Sequence, residues 1–512
     1  MEFSGPQAFV LLVTMLVLFL IIKLLEPLRD AEEPPYIEPT IPLVGHAIGL
    51  LQRKYDYYTD LGNANKLPIF TLALPGMPKN RVYIINSSNL VLAIEKLPKK
   101  LSFWFVQAIF TVGMAGLSKR TAQVLQDNIL GTEDRPSLFM DGMMEFHKYL
   151  KPGEALDRMT RLSTSSLADS IERQFVGKNT TKSIELWAWV HKEMATAITR
   201  GAYGPQNPYD DPEIREAFSA LETNVVGLIS FPFPKWTAAT AYKGRTKLVN
   251  AFRRYHISNG IQGASAYIQG SGNIASQHKL PILDKARLDA VGGHAILANT
   301  IPTAFWTLYH IFSDQSLLEE VRDAVKPLVS SKEMEHGNWK HEIDITKIRE
   351  IPILKSVLYE SLRHYGSGTG TRIVVEDTLL EDRYKLKKGT FIFMPNMLYH
   401  QNREIWGDDV DSFNAHRFST GKHYNSGAFR GFGGGANLCP GRFFAMNEIF
   451  ACCAMMVLRF DLRPSRGAGR EWRHPGTDGS NMSLLVNPPK ETVYADVIEK
   501  PGWALGEWIF KL

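Results

Sequence analysis

Residues 432–442 read FGGGANLCPGR, a cysteine set behind three consecutive glycines and ahead of Pro-Gly. Such a glycine run gives up backbone entropy, and a chain keeps one where it must bend tightly or let something bulky come close. Downstream, GRFFAMNEIFACCAMMVLRF (441–460) carries apolar residues at helical spacing, so Cys439 stands at a loop-to-helix junction. A helix amino terminus is expected to lower the thiol pKa, favouring the thiolate that soft and redox metals bind. A zinc site needs three or four ligands, and no C-x-x-C or clustered His accompanies Cys439. The other two cysteines, Cys452 and Cys453, are adjacent, which makes no disulfide framework and points to a reducing compartment. A nucleophilic cysteine stays open, although nothing nominates a His as its base. One cysteine as sole protein ligand, with flat glycine-lined walls, fits a large planar cofactor that brings its own remaining ligands. Haem is that cofactor.

Phe432, Gly435, Cys439 and Gly441 match F-x-x-G-x-x-x-C-x-G, and the segment thereby resembles the haem-binding loop of cytochromes P450. The resemblance implies that Cys439 is the axial thiolate of haem b. Working back from the loop, YESLRHYG (359–366) sets Glu360 and Arg363 three apart on one helix face. Exposed, such a pair is worth little; the apolar surroundings ILKSVLYESLRHY suggest burial, and buried charges need further partners. The pair resembles the family's E-x-x-R, and FNAHRF (413–418) stands where the family has P-E-R-F, with Ala415 and His416 in place of its proline and glutamate. That similarity implies a Glu360–Arg363–Arg417 network supporting the cysteine loop, structural in role. Arg372, just past GSGTGT, matches the position from which family members reach a haem propionate. Two departures weaken the propionate assignment. Asn437 stands where the family often has Arg or His, and no W-x-x-x-R occurs between residues 90 and 160.

HAILANTIPTAFW (294–306) lies in a long segment, about 283–313, apolar on most faces and expected to form one central helix. Family members usually show A-G-x-D/E-T there; here Asn299 and Thr300 align with the acid and the threonine. A threonine hydroxyl can hold a water or donate towards bound dioxygen, whereas Asn299 relays hydrogen bonds without being a carboxylic proton source. A merely back-bonded threonine is the plain rival reading. Pro302 removes a helix hydrogen bond and should kink the helix here. The Asn-Thr-x-Pro arrangement is similar to the sterol and oxysterol 7α-hydroxylase branch, and ELWAWVHKEMATAITRGAYGPQNP (185–208) looks like filamentous-fungal members.

The chain of 512 residues is 44% hydrophobic with a net charge of +5, so a large core is affordable and disorder is not indicated. No Lys/Arg block makes a nucleic-acid footprint, and that class is excluded. AFVLLVTMLVLFLII (8–22), continued by Leu24 and Leu25, gives 18 residues broken only by Lys23, near the short end of a bilayer span. MEFSGPQ before it holds no Lys or Arg and no small-residue cleavage site follows, so an uncleaved anchor is expected over a signal peptide or core helix. Lys23 and Arg29 lie after the run and place the bulk of the chain in the cytosol.

The expected organisation is an anchor over 1–30, a proline-rich hinge over 31–50 and a haem-thiolate catalytic domain over 51–512. Strands are expected at 68–74, 81–87, 372–378 and 389–395, and helices at about 345–365 and 441–458, with 396–440 irregular. The fold class is mostly α with small β-sheets, in a single large cytochrome P450-type fold with an N-terminal transmembrane helix. The resemblance implies an NADPH- and O2-dependent monooxygenase in the endoplasmic reticulum membrane, single-pass and facing the cytosol. Electrons would arrive through NADPH–cytochrome P450 reductase. Lys422, His423, Arg430 and Arg442 flank the cysteine and offer a landing for an acidic reductase. The substrate expected is a lipophilic small molecule, in fungal secondary metabolism (terpenoid, polyketide or alkaloid). SFWFVQAIF (102–110) and the helix near Ala298 are candidate substrate walls. The rivals are a reductase-independent haem-thiolate isomerase or dehydratase, a sterol or oxysterol hydroxylase, and a non-enzymatic haem carrier.

Overall fold

The computed structural model describes Val13 and residues 30–512, apart from 42–43, 133–134, 178–180, 336–337, 422–423, 466–470 and 504–505. The expected anchor falls almost wholly outside the described residues, as do Lys422 and His423. Among the described residues no helix is long and apolar enough to cross a membrane. The chain is mostly helical with small sheets. It divides into two compact units. The first is the described part of Met1–Val106 with Thr369–Ile405 and Asn425–Asn437; the second is Gln107–Gly368, Trp406–Tyr424 and Leu438–Leu512.

The first unit is built on a five-stranded sheet: β1 (Ile69–Ala73), β2 (Arg81–Ile85), β3 (Leu101–Ser102), β4 (Thr369–Val374) and β5 (Phe391–Pro395), in the order β1-β2-β5-β4-β3. β1 and β2 are β-branched and apolar, pair antiparallel with Ile69 opposite Ile85, and are buried along their whole lengths. β5 lies parallel to β2 and antiparallel to β4, which sets Arg372 opposite Ile392. Helix α1 (Ser88–Glu95) starts on a Ser87 side chain that accepts the Leu90 amide, and it ends on Glu95.

The second unit carries the long helices α2 (Glu154–Phe175), α3 (Leu186–Tyr203), α4 (Ile282–Leu297), α5 (Thr300–Ser313), α6 (Pro352–His364) and α7 (Arg442–Arg459). α7 is apolar nearly all round, and every residue from Met446 to Arg459 is buried, the signature of a helix enclosed by protein. Strands 460–464, 494–499 and 182–185 form one antiparallel sheet. Strand 339–344 lies between 329–333 and 506–511 in another. Strands therefore occur in mid-chain as well as near the ends.

Two expected helices are broken. The central one stops at Leu297 and resumes at Thr300, because Pro302 has no N–H for the Ala298 carbonyl. The helix expected at about 345–365 is a short turn, Ile345–Ile348, followed by α6, which opens with Pro352 at a position where a missing N–H costs nothing.

Candidate functional site

In the second unit, Cys439 sits immediately before α7 and is half-buried. The Gly441 and Arg442 amides lie beside its sulfur, and the Arg442 guanidinium donates to its carbonyl at 2.9 Å. These groups pull the thiol pKa down, as a helix start should. Burial outweighs them, and the thiol is held above its ordinary range, contrary to the expected lowering. Such a thiol becomes a stable thiolate when a metal replaces its proton. A Cβ built on Gly441 would lie 4.0 Å from the sulfur, so a side chain there would project beside the ligand atom.

The same unit brings Glu360, Arg363 and Arg417 together. Arg363 lays Nε and Nη2 on the Glu360 carboxylate at 2.7 Å each, and Arg417 Nε reaches both its oxygens at 3.0 and 3.1 Å. The Asn414 amide adds a bond at 3.0 Å. Arg363 also donates to the Val410 carbonyl, and Arg417 pairs with Asp409. Glu360 has no solvent access. Asp409 and Asn414 close the network, and no local pattern announced either of them.

At the break between α4 and α5, Thr303 and Thr307 each donate to the carbonyl four residues back, at 2.6 and 2.7 Å. Thr300, buried, does not; its hydroxyl has no hydrogen-bond partner among the described residues. The plain reading of a back-bonded threonine does not apply to it. Asn299 uses its side-chain oxygen to accept the Leu485 amide at 2.8 Å, and the Leu485 carbonyl in turn accepts the Ser367 amide. The break is thus tethered to the chain following α6.

In the first unit the glycines of the loop have an occupant. Gly433 and Gly435 adopt φ of +78° and +57°, where a side chain strains the backbone. A Cβ on Gly434 would fall on the Glu95 carboxylate. Glu95 accepts from Ser426 Oγ at 2.6 Å and Arg430 Nη1 at 2.9 Å. Arg430 is buried, which corrects its placement among surface charges facing a reductase. Arg442, on the second unit, is half-buried. Arg372 is not a surface arginine either: it is 3% exposed, stacks 5.4 Å over the Phe103 ring and donates to the Thr371 carbonyl. Burial and the neighbouring Arg430 push its pKa down to about 10. Phe432 lies in this unit as well. The aromatic stretch 102–110 serves two ends: Phe103 backs Arg372, while Phe110, in the second unit, stacks on His294 of α4.

The chemistry at Cys439 fits a haem: a single cysteine sulfur beside N–H groups at the start of a buried helix, without further metal-ligating side chains grouped around it among the described residues. A family model described as Cytochrome P450 matches residues 292–493, the span holding Thr300, Glu360, Arg363, Arg417 and Cys439. The chain is 30% identical over 500 residues to the cytochrome P450 monooxygenase nodJ of Hypoxylon pulicicidum, covering 94% of this chain and 93% of that one. It is 26% identical over 511 residues to a cytochrome P450 monooxygenase of Gibberella zeae, covering 96% and 94%. Cytochrome P450 7B1 of Mus musculus is 25% identical over 514 residues, covering 96% of each. A relative this similar along nearly its whole length settles what the cysteine loop and the Glu360 network suggest, and the chain belongs to the cytochrome P450 family as a monooxygenase.

Proposed function

We propose that the protein inserts one atom of dioxygen into a lipophilic small molecule as a tailoring step of fungal secondary metabolism. The observation that carries this is the Thr300 hydroxyl at the α4–α5 break, which has no hydrogen-bond partner among the described residues and lies in the unit that also presents the Cys439 sulfur. Haem b held by Cys439 would supply dioxygen binding and activation, with electrons from NADPH passed on by a reductase. The chain's own residues do the rest. Cys439 would hold the haem iron through its sulfur, with the Gly441 and Arg442 amides beside it favouring the thiolate. Phe432, Gly435 and Gly441 shape the loop, and Arg372 offers its guanidinium to a haem carboxylate. Glu360, Arg363 and Arg417 hold the strand of chain leading into the loop and take no part in chemistry. Thr300, with no acceptor committed elsewhere among the described residues, can hold a water and pass its proton on. Asn299 fixes the break through Leu485 and keeps its NH2 for a hydrogen bond.

Residues 1–30 would anchor the chain in the endoplasmic reticulum membrane, 31–50 act as a stiff hinge, and 51–512 form the cytosolic catalytic domain. The relatives' printed names, among them nodJ and the Penicillium decumbens monooxygenase calL, support the fungal setting. The test is incubation of the purified protein with reductase, NADPH and a panel of lipophiles. An oxygenated product that requires NADPH is expected, and Cys439→Ala should lose the thiolate-type carbon monoxide spectrum. Product made without NADPH would select the isomerase reading instead, and a surviving spectrum would unseat Cys439.

A further inference from the structure

In the second unit, three largely buried histidines face a carboxylate, and one of these pairs is slack. His256 meets Asp289 at 2.6 Å and His278 meets Asp141 at 2.9 Å, each as a formed hydrogen bond. His294 of α4 faces Glu222, the last residue of the helix Pro212–Glu222, at 3.3 Å without making that bond. Glu222 Oε1 and His294 Nδ1 are both buried with no hydrogen-bond partner among the described residues. Buried polar atoms are ordinarily hydrogen-bonded, so this pair stands out. Nor is it sealed: Glu222 keeps 16% of its side-chain surface open and His294 12%.

The surroundings suit a lipophile. Phe110 stacks on the His294 ring, and Ala295 beside it is exposed. Ile109, Val226 and Leu485, on the adjoining segments, are apolar side chains 40, 40 and 43% exposed. The segment 481–485 ties this place to the α4–α5 break. Asn481 Nδ2 donates to the Glu222 carbonyl at 2.6 Å, and the Leu485 amide donates to Asn299, the neighbour of Thr300, at 2.8 Å. Along the chain His294 precedes Thr300 by six residues, roughly 9 Å by the rise of an α-helix. A mostly apolar wall with a few placed polar groups is how small-molecule sites set orientation.

We propose that Glu222 and His294 bind a hydroxyl of the substrate, which donates to the Glu222 carboxylate and accepts from the His294 ring. The substrate class is therefore a lipophile that already carries an alcohol. A hydroxyl both donates and accepts, whereas a ketone or an ether has nothing to give the carboxylate. With the pair roughly 9 Å from Thr300 along the helix, the carbon oxidised is remote from that alcohol. The assignment deepens the lipophilic-substrate reading above and rests on it.

The test is equilibrium binding to the ferric holoprotein, read from the Soret shift, of geranylgeraniol, cholesterol and tryptophol, each against its own methyl ether. On a scaffold that binds, the alcohol should bind at least about tenfold more tightly than the ether, the worth of one hydrogen bond to a charged group. Glu222→Leu should erase that preference by weakening the alcohol while the ether keeps its wild-type dissociation constant. Glu222→Gln, which retains a neutral acceptor, should fall between. Asp289→Asn, in the well-made pair with His256, should lower the urea midpoint and leave the preference intact. A purely structural Glu222 behaves otherwise: in Glu222→Leu both dissociation constants rise together, or the urea midpoint falls and neither constant moves. Either result overturns the proposal, as does equal affinity of the wild type for alcohol and ether on every scaffold. NADPH-dependent oxygenation without any preference for the alcohol removes this site and leaves the lipophilic-substrate reading standing. A holoprotein whose Soret band no probe shifts refutes that reading, and this site with it.

Discussion

Replacing Glu360 by Gln removes one charge and preserves the shape. The wild-type carboxylate is wholly buried and receives Arg363 Nε and Nη2, Arg417 Nε and the Asn414 amide. Gln keeps one oxygen and turns an NH2 towards guanidinium donors, so Arg363 becomes a buried cation with no carboxylate, while Arg417 retains Asp409. Removing one partner of a buried pair costs about 3–5 kcal/mol. The surviving Asp409 contact places Glu360→Gln near the lower end, about 3 kcal/mol. At about 1.4 kcal/mol per decade, that raises the unfolded population roughly a hundredfold. The assay is urea titration of the holoprotein, following far-ultraviolet dichroism and the Soret band together, with the midpoint shift multiplied by the slope. If the cost arises from the stranded Arg363 charge, Glu360→Gln with Arg363→Gln should be no worse than the single change, because the two effects are coupled. A single variant within about 0.5 kcal/mol of wild type, or a double variant that loses the sum of two single penalties, refutes the reasoning.

Thr300→Val should leave stability within about 0.5 kcal/mol, since the hydroxyl has no partner among the described residues, yet cut product formed per NADPH several-fold; unchanged coupling would make Thr300 a packing residue. Asn299→Asp preserves the acceptor for the Leu485 amide and should melt close to wild type, whereas Asn299→Leu should lose about 1–2 kcal/mol; equal losses would deny the tether. Burial lifts the Glu448 carboxyl to about 8, so the folded protein holds a proton there that the unfolded chain releases above the ordinary 4.5. Stability should therefore fall as pH rises from about 5 to about 8. Glu448→Gln, which mimics the neutral acid, should be near neutral at pH 5 and stabilising at pH 8, the gain growing by about 1.4 kcal/mol per pH unit between; a pH-independent difference in urea midpoints would refute it.

What could be read in the chain was what local spacing encodes. Glu360 and Arg363 meet because three residues along a helix put them on one face, and the α4–α5 break follows from the missing N–H of Pro302. The α6 start at Pro352 was equally local and was overlooked inside a longer apolar pattern. Arg417 was reached only through its likeness to a family segment, not by spacing. Glu95 and Arg430 stand 335 positions apart, and nothing near either residue signals that the other neutralises it. Arg430 looked like a surface charge because arginines mostly are. The Cys439 thiol went astray for a related reason: a helix start is visible in sequence, whereas the desolvation that outweighs it belongs to the packed state.

The two buried charge clusters carry different arguments because of how they close. Around Glu360, two carboxylates, Glu360 and Asp409, meet two guanidinium groups, Arg363 and Arg417, and backbone carbonyls at 406, 410 and 412 take up further N–H donors. Among the described residues these groups satisfy one another, so the cluster fixes the path of the chain, and its loss should register as stability. Around Glu95, one carboxylate faces two guanidinium groups, and N–H donors remain unspent in a place shut off from water. A urea titration reads the first cluster directly, and Glu360→Gln should move its midpoint strongly.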